Sequence, residues 1–324
     1  MTRLIRLALT AIAGLALPGV VGAAEPYPVR PIRIIVTFPP GGQTDALARI
    51  IQPRLEAELG QPIVIENRPG AGGTIGVDAV VKSAPDGYVL GIGPMGALTV
   101  NLSPQEKIPY DTVRDLEPVS LLSMTPFVMA ARLGFMANNA AEVIALAKAK
   151  PEDLTLGHGG NGSAMHLTAL LFNHMAGVEI ALVPYRGSGA VFSDLIAGHI
   201  PLGIGDATSA LGAIRAGQVK ALAVSSAKRT PLLPDIATFA ESGLPGFESM
   251  GWFGILAPAG TPREIIAKLN AAVVSAYKDP ALVERLRAIG ADPVSSTPEE
   301  FGQFIRSEIV KWARVVAQSG LRPE

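Results

Sequence analysis

Residues 32–59 read IRIIVTFPPGGQTDALARIIQPRLEAEL, from Ile32 to Leu59. Ile32, Ile34, Ile35 and Val36 are β-branched, and a short apolar run of this kind suits a strand buried on both faces. Pro39-Pro40-Gly41-Gly42 makes a sharp loop, after which an amphipathic helix is expected to open at Thr44-Asp45 and close near Gly60. Glycines expose backbone N–H groups at such a junction, and the helix adds the positive end of its dipole. The loop can therefore hold an anion with no cationic side chain, which reads as a carboxylate cradle. The same grammar recurs in a strand over residues 63–67, the loop Arg68-Pro69-Gly70-Ala71-Gly72-Gly73 and a helix from Thr74. Two such junctions side by side predict one pocket.

Outward from that stretch, the first 23 residues read as an export leader. Arg3 and Arg6 form a positive segment, residues 7–17 are apolar, and Val21-Gly22-Ala23 offers small residues for cleavage after Ala23 or Ala24. The apolar run ends at Pro18, too short to span a bilayer. The chain has no cysteine, which excludes disulfides, thiolate metal sites, a cysteine nucleophile and a lipid-anchored route. Without Arg3 and Arg6, 25 basic residues face 28 acidic ones, a net charge near −3 that does not fit a nucleic-acid binder. Aromatic residues are 5% of the chain, few for stacking sugars or bases, so a small polar or anionic ligand fits better.

Further along, the turn Ala84-Pro85-Asp86-Gly87 precedes a strand over 88–92, and a polar segment at 102–117 is expected as a surface excursion. Residues 119–131, broken by Pro126, are read as a crossing into a second lobe. There, helices over 140–150, 163–176, 190–198 and 209–216 alternate with strands over 154–157, 180–183, 202–205 and 219–224. A strand over 249–256 returns to the first lobe, and proline-opened helices over 262–277, 280–289 and 298–318 close the chain. The expected fold is α/β and two-lobed. Lobe I comprises 24–126 plus 248–324, lobe II comprises 127–247, and each holds a mixed, mostly parallel sheet flanked by helices. Two crossover segments make a hinge, and ligands belong at the carboxyl ends of the strands, in the cleft.

Three blocks carry a resemblance: Phe38-Pro39-Pro40-Gly41-Gly42-Gln43-Thr44-Asp45, Glu66-Asn67-Arg68-Pro69-Gly70-Ala71-Gly72-Gly73, and Pro184-Tyr185-Arg186-Gly187. In this order behind a leader, they resemble the signatures of the Bug family, TctC-like periplasmic solute receptors of tripartite tricarboxylate transporters. The resemblance covers the whole mature chain. It implies a type II periplasmic binding protein fold of the Venus-flytrap kind and delivery of a small carboxylate to membrane permease subunits, by a monomer in the periplasm. It also implies one ligand carboxylate held between the first strand–helix loop and a facing loop of lobe II. On this chain those are Phe38 to Asp45, and Gly160-Asn161-Gly162-Ser163 with His166. Where many members carry an asparagine-leucine-proline-serine run, this chain has Gly205-Asp206-Ala207-Thr208-Ser209, which favours a ligand with a cationic or hydrogen-donating group.

The candidate ligand-binding residues are Phe38, Pro40, Gly41, Gly42, Thr44, Asp45, Gly72, Gly73, Asn161, Ser163, His166, Tyr185, Arg186 and Asp206. Thr44, Asp45, Ser163 and Asp206 stand where helix caps stand, so each either caps or meets ligand. The glycines serve either the turns or the ligand. His166 bonds a ligand oxygen or caps a loop. Arg186 grips a second carboxylate or makes a salt bridge within its lobe. Tyr185 walls the pocket or packs internally, and Arg68 is expected to pair with Glu66. His158, His174 and His199 are read as structural or surface residues, without metal-binding spacing. The glycine run at 70–76 lacks a ribose carboxylate about 20 residues on, so no dinucleotide is expected. No nucleophile elbow is present, and neither catalysis, metal nor cofactor is expected. The alternative output on the same fold is a sensor presenting a metabolite to a membrane kinase.

Overall fold

β1 (Ile32–Val36) runs through the 39–42 loop into α1 (Gln43–Leu59), followed by β2 (Ile63–Asn67), α2 (Thr74–Val81), β3 (Val89–Pro94) and the short α3 (Met95–Thr99). β1 lies between β2 and β3, parallel to both, and its aliphatic side chains are fully buried. α1 covers one face through Leu47, Ala48, Ile51 and Leu55. It opens one residue earlier than predicted, at Gln43 on a Gly42 cap, and ends on Gly60, whose left-handed backbone returns an N–H to Glu56. This computed structural model describes residues 27–99 and 108–318. The expected leader and residues 102–107 of the predicted excursion lie outside them.

The rest of that excursion is structured. Asp111 caps α4 (Thr112–Asp115), and β4 (Leu116–Arg132) starts immediately after it. β4 is 17 residues long and changes partners along its length. From Leu116 to Pro126 it pairs antiparallel with β9, and from Phe127 onward it pairs with β7 and β8. Pro126 has no N–H to donate, which suits a point where one ladder ends and another begins.

Beyond the switch come α5 (Ala140–Ala149), β5 (Thr155–His158), α6 (Ala164–Ala176), β6 (Ala181–Pro184), α7 (Ser188–Ala197), β7 (Leu202–Asp206), α8 (Ala207–Arg215) and β8 (Val219–Val224). The strands order as β6-β5-β7, parallel, which repeats the β2-β1-β3 pattern of the first lobe. β9 (Met250–Pro258) returns the chain beside β3 and β4, and α9 (Arg263–Ala276), α10 (Pro280–Ala288), β10 (Asp292–Pro293) and α11 (Pro298–Gln318) complete it. β10 adds two residues to the free edge of β4, a pairing the sequence did not signal. The result is a two-lobed α/β molecule in which each lobe pairs a parallel trio with antiparallel strands.

Ser225, just past β8, ties the two crossings together. Its Oγ accepts the Phe127 N–H at 2.8 Å and donates to the Ser249 carbonyl, while Ser249 N–H donates to the Ser225 carbonyl at 2.9 Å. Each lobe has its own apolar cluster, and a third cluster joins them. In that third cluster, α11 lies against β4, α3 and the lobe II helix α6, so Trp252, Phe301 and Trp312 share one core with Leu167 and Phe172.

Candidate functional site

In each lobe the three parallel strands end on the same side, and their six following loops face one cleft of about 820 Å³. Lobe I contributes the loops after β1, β2 and β3. Lobe II contributes those after β5, β6 and β7, with Phe127 and Trp252 from the crossings at the floor. This is the carboxyl-end crevice that parallel α/β sheets create, here doubled and turned face to face. The size is ordinary for a small-molecule site.

Helices α1, α2, α6, α7 and α8 all begin at this cleft. Their amino ends supply partial positive charge from both sides. The amides of Gln43 and Thr44 have no partner among the described residues, as the first turn of a helix requires. Gln43 is held in place by its side chain, whose Nε2 donates to Thr125 Oγ1 of β4 at 2.9 Å.

The loop amides before the helix behave differently from the sequence expectation. Gly41 N–H donates to Asp45 Oδ2 at 3.0 Å, and Gly42 N–H points back at the Pro39 carbonyl at 3.4 Å. Both are spent inside the loop, so the free donors are the amides of the next two residues, Gln43 and Thr44. Asp45 does not line the cleft. Its carboxylate also accepts from Arg49 Nε and Asn67 Nδ2, each at 3.0 Å, which fixes the loop against β2. Burial alone would raise the Asp45 pKa, but the Arg49 guanidinium with the Gly41 and Asn67 donors outweighs it and holds the carboxyl below its usual range.

His166 is also absent from the cleft wall. Its ring stacks on His158, centroids 4.3 Å apart, and its Nδ1 accepts the Gly162 N–H at 3.3 Å, so it braces the loop from behind. Burial holds His158 down at about 4, and burial with the neighbouring His158 ring holds His166 at about 3; both are neutral near pH 7. His158, expected as a structural or surface residue, is buried in this stack, which nothing in its local spacing announces.

The other twelve predicted residues, Phe38, Pro40, Gly41, Gly42, Thr44, Gly72, Gly73, Asn161, Ser163, Tyr185, Arg186 and Asp206, all line the cleft. Ser163 and Asp206 cap helices as well: Ser163 Oγ accepts the His166 N–H at 3.2 Å, and Asp206 Oδ1 accepts the Ser209 N–H at 2.9 Å. Tyr185 donates its hydroxyl to Asp194 at 2.8 Å, within lobe II. Arg186 is exposed and has no ion-pair partner among the described residues. Arg68 pairs with Glu66 as expected. Gln43, within the expected 38–45 segment, also lines the cleft, whereas sequence reasoning missed Phe127, Met165, Ser188 and Trp252, which reach it through tertiary placement. Among the described residues no cluster of three His, Cys, Asp or Glu side chains is placed to hold a metal.

The lobes touch at one end of the cleft. A Cβ on Gly72 would stand 3.2 Å from the Asn161 carbonyl oxygen, and one on Gly96 would collide with the Gly162 carbonyl. Only glycine permits that approach.

Residues 47–321 match the tripartite tricarboxylate transporter family receptor, TctC. The protein BugT of Bordetella pertussis is 41% identical over 313 residues, 96% of this chain and 95% of that protein. R. palustris Rpa4515, solved with adipate, superposes with a TM-score of 0.85 at 36% identity over 91% of this chain and 98% of its own. MatC from Rhodopseudomonas palustris, with bound malate, gives 0.81 at 35% over 90% and 100%. With the same fold along almost its entire length, the chain belongs to the tripartite tricarboxylate transporter receptor family.

Proposed function

We propose that the protein is an extracytoplasmic receptor which closes its lobes on a small carboxylate and hands it, chemically unaltered, to the permease subunits of a tripartite tricarboxylate transporter. The observation that carries this is the convergence of α1 from lobe I and α6 from lobe II on one cleft, with the Gln43 and Thr44 amides free to donate. Adipate in one relative and malate in another support a carboxylic acid as the ligand class. Ligand contact is assigned to the twelve lining residues above, while Asp45 and His166 hold their loops in shape. The division into lobe I (24–126 with 248–324) and lobe II (127–247) follows the partner switch in β4. The receptor works as a monomer in the periplasm after losing residues 1–23. Among the described residues no helix is long and apolar enough to cross a membrane.

The test is a melting screen of the purified receptor against C4–C8 dicarboxylates, amino acids and aromatic acids. A true ligand at a hundredfold excess over its dissociation constant stabilises the folded state by about 2.7 kcal/mol. Stabilisation by none of them would remove the reading, and recovery of an altered compound would show a reaction instead.

A further inference from the structure

Among the described residues, the charged side chains that line the cleft are Arg186 and Asp206. Arg186 is exposed, whereas Asp206 is 9% exposed and sits at the inner end, paired across the ladder with Phe127 at the cleft floor. The carboxylate has about four lone-pair positions, and the Ser209 N–H uses only one of them, so capping leaves it acceptor capacity. A purely anionic solute would place like charge against this buried wall, a repulsion that the helix ends offset without removing.

The position of Asp206 relative to α1 sets the scale. Gln43, the first residue of α1, is tied to Thr125, and Asp206 is registered against Phe127, two residues further along β4. Residues two apart on a strand share a face and lie about 7 Å apart. The free amides at the start of α1 and the Asp206 carboxylate thus face one cleft from neighbouring positions along β4.

Resting on the carboxylate-receptor reading, we infer that the ligand is an aminocarboxylate, its carboxylate on the α1 amides and its ammonium facing Asp206. Asp206 is then the residue that selects a 2-amino acid over the corresponding plain acid.

Calorimetric titration with matched pairs tests this: propionate and alanine, succinate and aspartate, glutarate and glutamate, 3-phenylpropanoate and phenylalanine. In the unsubstituted protein the amino member of the bound pair is expected to bind about tenfold or more tighter than its plain partner, the scale of a hydrogen bond to a charged group. Asp206→Asn, which still caps α8, is expected to abolish that preference while the plain acid binds as well or better. Asp206→Ser gives the same readout from a second capping residue. Tighter binding of the plain acids, or an amino preference unchanged in both variants, overturns the inference and leaves the receptor reading standing. Failure of every acid to bind the unsubstituted protein removes the receptor reading and this inference with it.

Discussion

At the scale of single residues, Asp45 shows how one buried carboxylate shapes a binding loop it does not face. It collects Gly41 from the loop, Asn67 from β2 and Arg49 from its own helix, and so decides which amides remain for a ligand. Replacing it with alanine strands those donors, and Asp45→Ala is expected to cost about 2–3 kcal/mol in urea unfolding. Ligand affinity should fall as well, because the 39–42 loop loses its tether. An unchanged unfolding midpoint would sink the view of Asp45 as the anchor. The sequence placed Asp45 correctly in the first helical turn. The direction of its side chain was not legible there, because the deciding partner, Asn67, is 22 residues away on the next strand.

At the scale of elements, the C-terminal helix is bound to the cleft floor by an uncommon arrangement. Glu308 is 7% exposed, and its Oε2 accepts from both tryptophans, Trp252 Nε1 at 3.0 Å and Trp312 Nε1 at 2.9 Å. Trp252 belongs to β9 and lines the cleft; Trp312 is on α11 itself. Glu308→Ala leaves two buried indole N–H groups without an acceptor and is expected to cost about 2–4 kcal/mol. Glu308→Gln retains an acceptor oxygen and should cost about 1 kcal/mol. Equal losses in the two variants, measured by denaturant melts, would show that packing rather than the hydrogen bonds holds the helix. The strand–loop–helix units were legible because their signals are local: branched aliphatics, glycine loops, and caps such as Ser163 and Asp206. The contribution of Trp252 and Phe127 to the floor was not, since it depends on two crossings meeting. The β10 edge pairing was equally hidden, two residues with no periodicity to read.

For the whole molecule, the stacked histidines give stability a pH dependence with a definite sign. In the unfolded chain both titrate near 6.5, and in the folded protein near 4 and 3. Between about pH 6.5 and those folded values the unfolded state therefore binds more protons. Their contribution is fully present above about pH 6.5 and is lost as pH falls toward 4, by up to about 1.4 kcal/mol per pH unit for each histidine. His166→Phe, which keeps a ring on His158, is expected to flatten the urea midpoint between pH 7 and 5; a slope equal to that of the unsubstituted protein would clear the pair of this role. The core shared by α11, α3 and α6 bears on how the molecule moves. Joined along that flank, the halves can part only like a bound volume, at the fore-edge and never at the spine. A solute then enters and leaves on the side away from that flank, and whatever carries it onward has to come to that side.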